Sequence, residues 1–219
     1  MSGAPNTAAL AGVPAGVQSR GLWVGHRQIF VRFATEAETA TMYTSTALAR
    51  ELTRQSARPG FHSICIGGRD PLGSDEFLAN TLGQTTTGLP IMIDCDGQRP
   101  EAIPVLAKWL ALVQVVFDFT GTDATLEHAL ATVKAAATAG RDHCMVIEPR
   151  DDTSDAQILR VVEQTHRASD RTKVVLHPAP GSERGPTLDR RWAMILEQGG
   201  ALHPLIRLAL RIPQPAGLR

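Results

Sequence analysis

The chain has 219 residues, 43% of them hydrophobic, which is enough to bury a substantial core. Its 22 basic and 22 acidic residues give a formal net charge of zero, so it lacks the strong positive field of proteins that bind nucleic acids or anionic membranes. No apolar run is long enough to span a bilayer. The three cysteines, Cys65, Cys95 and Cys144, are an odd number without short spacing, which favours a reducing compartment and a cytoplasmic location.

The chain begins with MSGAPNTAALAGVPAGVQ, a stretch rich in Ala, Gly and Pro. This stretch lacks both the basic start and the long apolar region of a signal peptide. We therefore expect residues 1–18 to be a flexible N-terminal segment and residues 19–219 to form a single domain.

Short apolar runs and helical patterns alternate along the rest of the chain. The predicted strands are 29–34, 61–66, 89–94, 113–119, 143–147, 173–177 and 206–212. The predicted helices are 46–55, 74–82, 101–109, 125–139, 154–169 and 187–198. Strands that are continuously apolar are typical of a largely parallel sheet covered by helices. The predicted fold class is therefore α/β, either an open doubly wound sheet or an incomplete barrel.

Polar residues and glycines follow the predicted strands, where the functional loops of α/β sheets begin. The candidates at these positions are Gly67, Gly68, Asp70, Asp94, Asp96, Asp118 and His177. Acidic groups at one end of a sheet can bind a cation or an amine, or can cap helices, and for Asp94 and Asp96 the two readings weigh equally. For His177 a hydrogen-bonded, half-buried side chain is favoured over a catalytic one.

Six segments resemble, in order, motifs of the 7-carboxy-7-deazaguanine synthases, which are radical S-adenosylmethionine enzymes. The segments are GLWVGHRQIFVRFA (21–34), IGGRDPL (66–72), MIDCDGQRPEAIPVL (92–106), VVFDFTGT (115–122), VVLHPAPG (174–181) and RLALRIPQPAGLR (207–219). The resemblance implies an incomplete (β/α) barrel of the radical S-adenosylmethionine type. It also implies a homodimer.

The resemblance fails at the loop that carries the family's three cluster-binding cysteines. The corresponding residues, 35–46, include no cysteine. The residues nearest the cysteine positions are Glu36, Thr39 or Ala40, and Thr44. Oxygen ligands cannot replace three thiolates around such a cluster, so we expect no iron–sulfur cluster, and binding of S-adenosylmethionine is in doubt. Thr46 matches a family residue that ligates magnesium and is a weak metal candidate. Only Cys95 is placed at a strand tip, and we expect all three cysteines to be ordinary buried residues.

These departures predict a non-catalytic homologue that binds a protein partner, either another protein or a second copy of the chain. The alternative is a small-molecule-binding protein or an iron-independent enzyme that uses the pocket at the strand ends. Its candidate contacts are Arg32 for an anionic group, Asp70, Asp94 and Asp96 for an amine or a divalent cation, and His177 as an acid or base. A radical enzyme with altered cluster ligands is the least favoured reading. Neither nucleic acid nor a membrane is an expected partner.

The two leading hypotheses differ in the geometry that they require. A ligand-binding protein should have a concave pocket on which Arg32 and the aspartates converge. A scaffold should have that pocket filled by residues 35–46 or by the first twenty residues.

Overall fold

A computed structural model of the chain describes residues 6–178 and 186–209, without the side chains of residues 186–189. The strands are β1 Thr7–Gly12, β2 Ala15–Val17, β3 Arg27–Phe33, β4 Thr41–Thr44, β5 Ser63–Gly68, β6 Ile91–Cys95, β7 Leu110–Phe117, β8 Asp142–Ile147, β9 Lys173–Leu176 and β10 Ile206–Leu208. The helices are α1 Ser45–Ser56, α2 Asp75–Gln84, α3 Ala102–Leu106, α4 Asp123–Thr138, α5 Asp155–Ala168 and α6 Pro186–Leu202, with a 3-10 turn at Pro71–Ser74.

All described strands belong to one mixed sheet with the order β10-β9-β8-β7-β6-β5-β3-β1-β4, and β2 pairs with β3. From β3 to β10 the strands are parallel and follow one another in chain order, whereas β1, β2 and β4 pair antiparallel. The predicted α/β fold with a largely parallel sheet and covering helices is confirmed. Because the parallel strands run in chain order, their carboxyl ends meet along one edge.

The two faces of the sheet have different coverings. One face carries the main core, in which strand residues such as Ile64, Ile93 and Val115 pack against side chains of the helices. The other, the inner face, has a smaller cluster around Cys65, Met92, Leu112, Cys144, Val146 and Val175. No described helix contributes to this second cluster; Leu22 and Trp23 cover it instead. A chain segment therefore closes the inner face.

Local sequence explains where the longer helices begin. Thr122 and Thr125 form a reciprocal capping box at the start of α4, and Ser154 and Gln157 form another at the start of α5. Each helix then buries one apolar face on the sheet. Among the described residues, none of the helices combines the length and hydropathy needed to cross a bilayer.

The structure differs from the sequence prediction near the N-terminus. Residues 7–17, expected to be flexible, contribute β1 and β2 to the sheet, while residues 1–5 lie outside the described residues. Strand β1 pairs with β4, which lies within the loop expected after β3. Both strands are short, and β1 buries only Ala8 and Leu10. Each depends on a partner distant in sequence, which no local pattern reveals. Residues 210–212 of the predicted last strand lie outside the described residues.

Two buried histidines sit near the amino ends of β8 and β9. His203 is fully buried; its Nε2 lies 2.5 Å from the carbonyl oxygen of Thr172, and its Nδ1 lies 3.0 Å from His166 Nδ1. His143 Nδ1 lies 2.7 Å from the carbonyl oxygen of Arg141. Burial lowers the pKa of both His143 and His203, because a charged imidazole is poorly solvated there.

We predict that the free energy of unfolding falls as the pH is lowered below about 6.5, the usual pKa of histidine. Because the pKa of His143 and of His203 is lowered in the folded chain, the unfolded chain binds more protons in this range, and acid favours unfolding. Denaturant titrations between about pH 7.5 and about pH 5 measure this slope. The substitution His203→Asn should make the slope shallower. A free energy that is constant over the range would contradict the prediction.

Candidate functional site

Two carboxylates and one guanidinium meet at the carboxyl edge of the sheet. Asp94 lies near the end of β6 and Glu148 directly after β8, so they flank β7. Arg20, from the segment between β2 and β3, reaches both: its Nη2 is 3.1 Å from Asp94 Oδ2 and its Nη1 is 3.2 Å from Glu148 Oε1. The side chain of Arg20 is 31% exposed, and the two carboxylate side chains are 12% exposed. The group is therefore partly shielded from water.

A cavity of about 470 Å³ opens beside these groups. Its ionisable lining residues among those described are Arg20, Asp94, Asp96, Asp118 and Glu148. Apolar and small residues, including Val116, Gly68 and Gly121, form part of the wall. Four carboxylates against one guanidinium give the described lining a net negative charge, which favours a positively charged or hydrogen-bond-donating occupant.

Asp94 and Glu148 stabilise the positive charge of Arg20. Burial alone would lower the pKa of Arg20. The charges of Asp94 and Glu148 and the hydrogen bonds to them outweigh burial and raise that pKa above its usual value. Arg20 is therefore a permanent cation at this edge of the sheet.

The segment that carries Arg20, residues 18–23, lies across the inner face; we call it the strap. Gln114, a fully buried residue of β7, accepts a hydrogen bond from the backbone N–H of Leu22 at 3.2 Å. The same amide donates to Asp94 Oδ1 at 3.3 Å. Arg207 donates from Nη2 to the carbonyl oxygens of Gly21 and Leu22, at 3.3 and 3.1 Å. One buried amide thus fixes both the strap and the carboxylate.

Four of the eight ligand-binding residues expected from the sequence line the cavity: Gly68, Asp94, Asp96 and Asp118. Gly67 lies beside it, where an added Cβ would be 3.3 Å from the carbonyl oxygen of Asp94. Asp118 and Asp96 are exposed at the rim. Asp118 Oδ1 accepts hydrogen bonds from the N–H and hydroxyl of Thr120, at 3.0 and 2.7 Å.

The other three expected ligand-binding residues do not line the cavity. Arg32 forms an ion pair with Glu38 at 2.6 Å. Asp70 pairs with Arg99 at 2.9 Å and accepts from the N–H of Gly73, at the start of the 3-10 turn. His177 follows β9 and is fully buried. The convergence of Arg32 with the aspartates, expected for a ligand-binding protein, is therefore absent from the described cavity lining.

Residues of the loop expected to replace the cluster cysteines have local roles. Glu36 pairs with Arg69 at 2.6 Å, and Thr39 and Ala40 are exposed just before β4. Thr44 caps α1 by accepting from the N–H of Ala47 at 3.1 Å. Thr46, the metal candidate, is exposed and donates its hydroxyl to Gln84 at 3.0 Å. Among the described residues, no group of three or more His, Cys, Asp or Glu side chains could hold a metal ion.

All three cysteines are free and buried. Cys65 and Cys144 lie on the inner face, whereas Cys95, expected to be the best placed at a strand tip, packs in the main core. Its Sγ is 3.6 Å from the carbonyl oxygen of Gln114. Burial raises the pKa of each of the three thiols, so none forms a thiolate readily.

Three residues of the site were not among the predicted binding residues: Arg20, Gln114 and Glu148. The sequence could have indicated Gln114, because it is a polar residue inside the otherwise apolar run VQVVF, residues 113–117. The same holds for Glu148, because it directly follows an apolar strand. The sequence could not have indicated Arg20, because its position depends on contacts made by the folded strap.

Comparisons with known proteins place the chain in no family. No family model matches it, and no curated protein matches it. Among solved structures, the 3-keto-D-glucoside 4-epimerase from E. coli matches with 14% sequence identity and a TM-score of 0.30, over 75% of this chain and 88% of that one. At that level of similarity the match says nothing about the activity of this chain.

The resemblance to the 7-carboxy-7-deazaguanine synthases is wrong. No family model matches the chain, that of the radical S-adenosylmethionine enzymes included, and no curated protein matches it. The motifs misled because they consist largely of strand and turn residues that a parallel sheet needs for folding. Gly68, for instance, has φ +101°, and a Cβ there would lie 2.3 Å from the carbonyl oxygen of Phe33. Roles assigned by that resemblance, such as metal binding by Thr46, lose their basis.

We predict that Gly21→Ala releases the strap. Gly21 has φ +78°, and a Cβ there would lie 1.8 Å from Gln114 Oε1. The left-handed backbone and the displaced amide together should cost about 3 kcal/mol of unfolding free energy. Denaturant titration measures the loss.

The matched control is Gly140→Ala. Gly140 also has a positive φ, +66°, but an added Cβ would meet nothing within 4 Å. It should cost only the backbone strain, about 1–2 kcal/mol. An equal loss of unfolding free energy in the two variants would show that the clash between a side chain at position 21 and Gln114 does not affect stability.

Proposed function

We propose that the protein binds a small polar molecule with a positively charged group in the cavity at the carboxyl edge of the sheet. The observation that carries this is the cavity lining, with four described carboxylates and one guanidinium around about 470 Å³. Pockets of this size hold small molecules, and a few polar groups in them set the orientation of the ligand. The proposal requires no cofactor.

The rim and the interior contribute differently to binding. Asp96 and Asp118 are exposed, so they attract a cation from solution. Asp94 and Glu148 are more deeply placed, where a hydrogen bond to a charged donor is stronger than at the surface. A cation can therefore move from the rim carboxylates to the inner pair.

We place this cavity at the mouth of an incomplete (β/α) barrel. The chain-order arrangement of the parallel strands and the helices packed on one face support that interpretation. In barrels of this kind, ligands bind at the carboxyl ends of the strands. The cavity is at that end.

Binding is favoured over catalysis by the groups present. The described lining contains no histidine, and Cys95, its one cysteine, has a raised pKa because it is buried. His177, expected as an acid or base, is not part of that lining. We therefore propose a binding protein, not an enzyme.

We predict that benzamidine, a small cation, binds at this edge and that benzoate, an anion of similar shape, does not. Protein-observed NMR should show benzamidine shifting the amide signals of Asp118 and Thr120. The double variant Asp96→Asn, Asp118→Asn should weaken binding by roughly thirtyfold, since each exposed carboxylate contributes about 1 kcal/mol to attraction of a cation.

The matched control is Asp142→Asn, which removes a carboxylate at the amino end of β8, paired there with Lys173 at 3.5 Å. It should leave benzamidine binding unchanged. Equal binding of benzamidine and benzoate, or no shift at the cavity with either, would refute the proposed function.

A second candidate function is binding of a second copy of the chain along β4. Among the described strands, β4 pairs only with β1, so its other edge carries unpaired backbone groups. Met42 on this strand is 64% exposed, the largest exposure among the described large hydrophobic residues. Two such edges can pair antiparallel across a twofold axis.

We predict that Met42→Lys shifts a dimer towards monomer, because it places like charges across the paired edges. Sedimentation velocity over a range of concentrations measures the effect. Met194→Lys, at a 46% exposed position on α6, is the control and should leave the association unchanged. A wild-type chain that stays monomeric at high concentration would rule this function out.

A further inference from the structure

Arg20 occupies part of the cavity with a group of its own chain. Its guanidinium donates from Nε and Nη2 to Asp94 Oδ2, at 3.4 and 3.1 Å, and from Nη1 to Glu148 Oε1, at 3.2 Å. Hydrogen bonds between a guanidinium and a carboxylate are typically about 2.7–2.9 Å long. The guanidinium of Arg20 therefore binds both carboxylates, and its hydrogen bonds to them are longer than typical.

The strap does not need Arg20 to stay in place. Gln114 holds the backbone N–H of Leu22, and Arg207 holds two carbonyl oxygens of the strap. Gln18, at the start of the strap, is 3% exposed, with its Nε2 3.8 Å from Cys65 Sγ on the inner face. The side chain of Arg20 can therefore leave the carboxylates while the backbone of the strap remains seated.

Asp94 is held in place independently of Arg20 as well. The fully buried amide of Gln114 donates to Asp94 Oδ1, the oxygen that Arg20 does not use. Asp94 Oδ2 therefore stays directed at the position of the guanidinium when Arg20 is absent. A built site for a planar cation would remain, with one wall formed by a buried polar side chain.

We propose that Asp94 and Glu148 form a subsite for a guanidinium or amidinium group of the ligand, and that Arg20 is its tethered occupant in the ligand-free chain. This rests on the proposed function and names the charged group that the ligand carries. When the ligand binds, its planar cation replaces Arg20, whose side chain turns towards solvent. A tethered group competes at an effective concentration in the millimolar range, so the apparent affinity of the wild type equals the intrinsic affinity multiplied by the fraction of time that Arg20 leaves the subsite free.

The test compares wild type with Arg20→Ala, with methylguanidinium as the probe. Calorimetric titration should show methylguanidinium binding to the variant at least roughly tenfold more tightly than to wild type, because the tethered competitor is gone. Urea, a neutral molecule of the same planar shape, should not bind at the same concentrations. The double variant Arg20→Ala, Asp94→Asn should lose the tighter binding.

The matched control is Arg207→Ala, which removes another arginine that holds the strap but forms no described ion pair with the two carboxylates. It should bind methylguanidinium no more tightly than wild type does. A gain in affinity as large as that of Arg20→Ala would mean that loosening the strap, not vacating the subsite, explains the effect, and would overturn the inference.

A second experiment uses the wild-type chain, so its result does not depend on whether the Arg20→Ala variant folds. The Nε–H signal of Arg20 in an NMR spectrum should move towards that of a solvent-exposed arginine as benzamidine is added. If benzamidine shifts the rim signals while the Arg20 signal stays unchanged, the proposed function stands and this inference is overturned. If benzamidine shifts neither set of signals, the proposed function fails first.

Discussion

The buried amide of Gln114 connects the parts of the site. It lies in the middle of β7, holds the N–H of Leu22 on one side and orients Asp94 on the other. A buried amide left without partners costs about 1–3 kcal/mol, so strap and carboxylate stabilise each other through it. The seat of the strap also requires glycine at position 21, because any side chain there would strike this amide. Through these contacts the amide positions the strap that carries Arg20, and Asp94, both of which line the cavity.

The layered arrangement places the main core apart from the cavity. Helices and the main core cover one face of the sheet, while the cavity opens at the carboxyl edge beside the inner face. The buried histidines His143 and His203 lie at the amino ends of the strands, away from the carboxylates. Acid therefore acts on the packing around α5 and β9.

Much of the fold and half of the expected binding residues could be predicted from sequence. The parts that could be predicted have a local sequence pattern, whereas the others depend on contacts between distant residues. Apolar runs such as 89–93 and 113–117 marked buried parallel strands, and the acidic residues after them, Asp94 and Asp118, fell at the cavity. The strands β1 and β4 could not be found, since β1 pairs with β3 and β4, which are distant from it in sequence, and β4 pairs among the described strands only with β1. Arg20 could not be placed either, because its neighbours are distant in sequence. Short motifs made largely of strand and turn residues suggested a family for which no family model matches the chain.

The contact between Arg207 and the strap joins residues 186 positions apart in the chain. During synthesis the strap emerges long before β10, so this contact cannot form until β10 has left the ribosome. Until then the inner face, with Met92, Cys144 and Val146, is covered only by a segment that is not yet fastened at both sides. The closing of the inner face is therefore a late event in the maturation of this protein, and the nascent chain has a period in which that apolar surface needs protection from association.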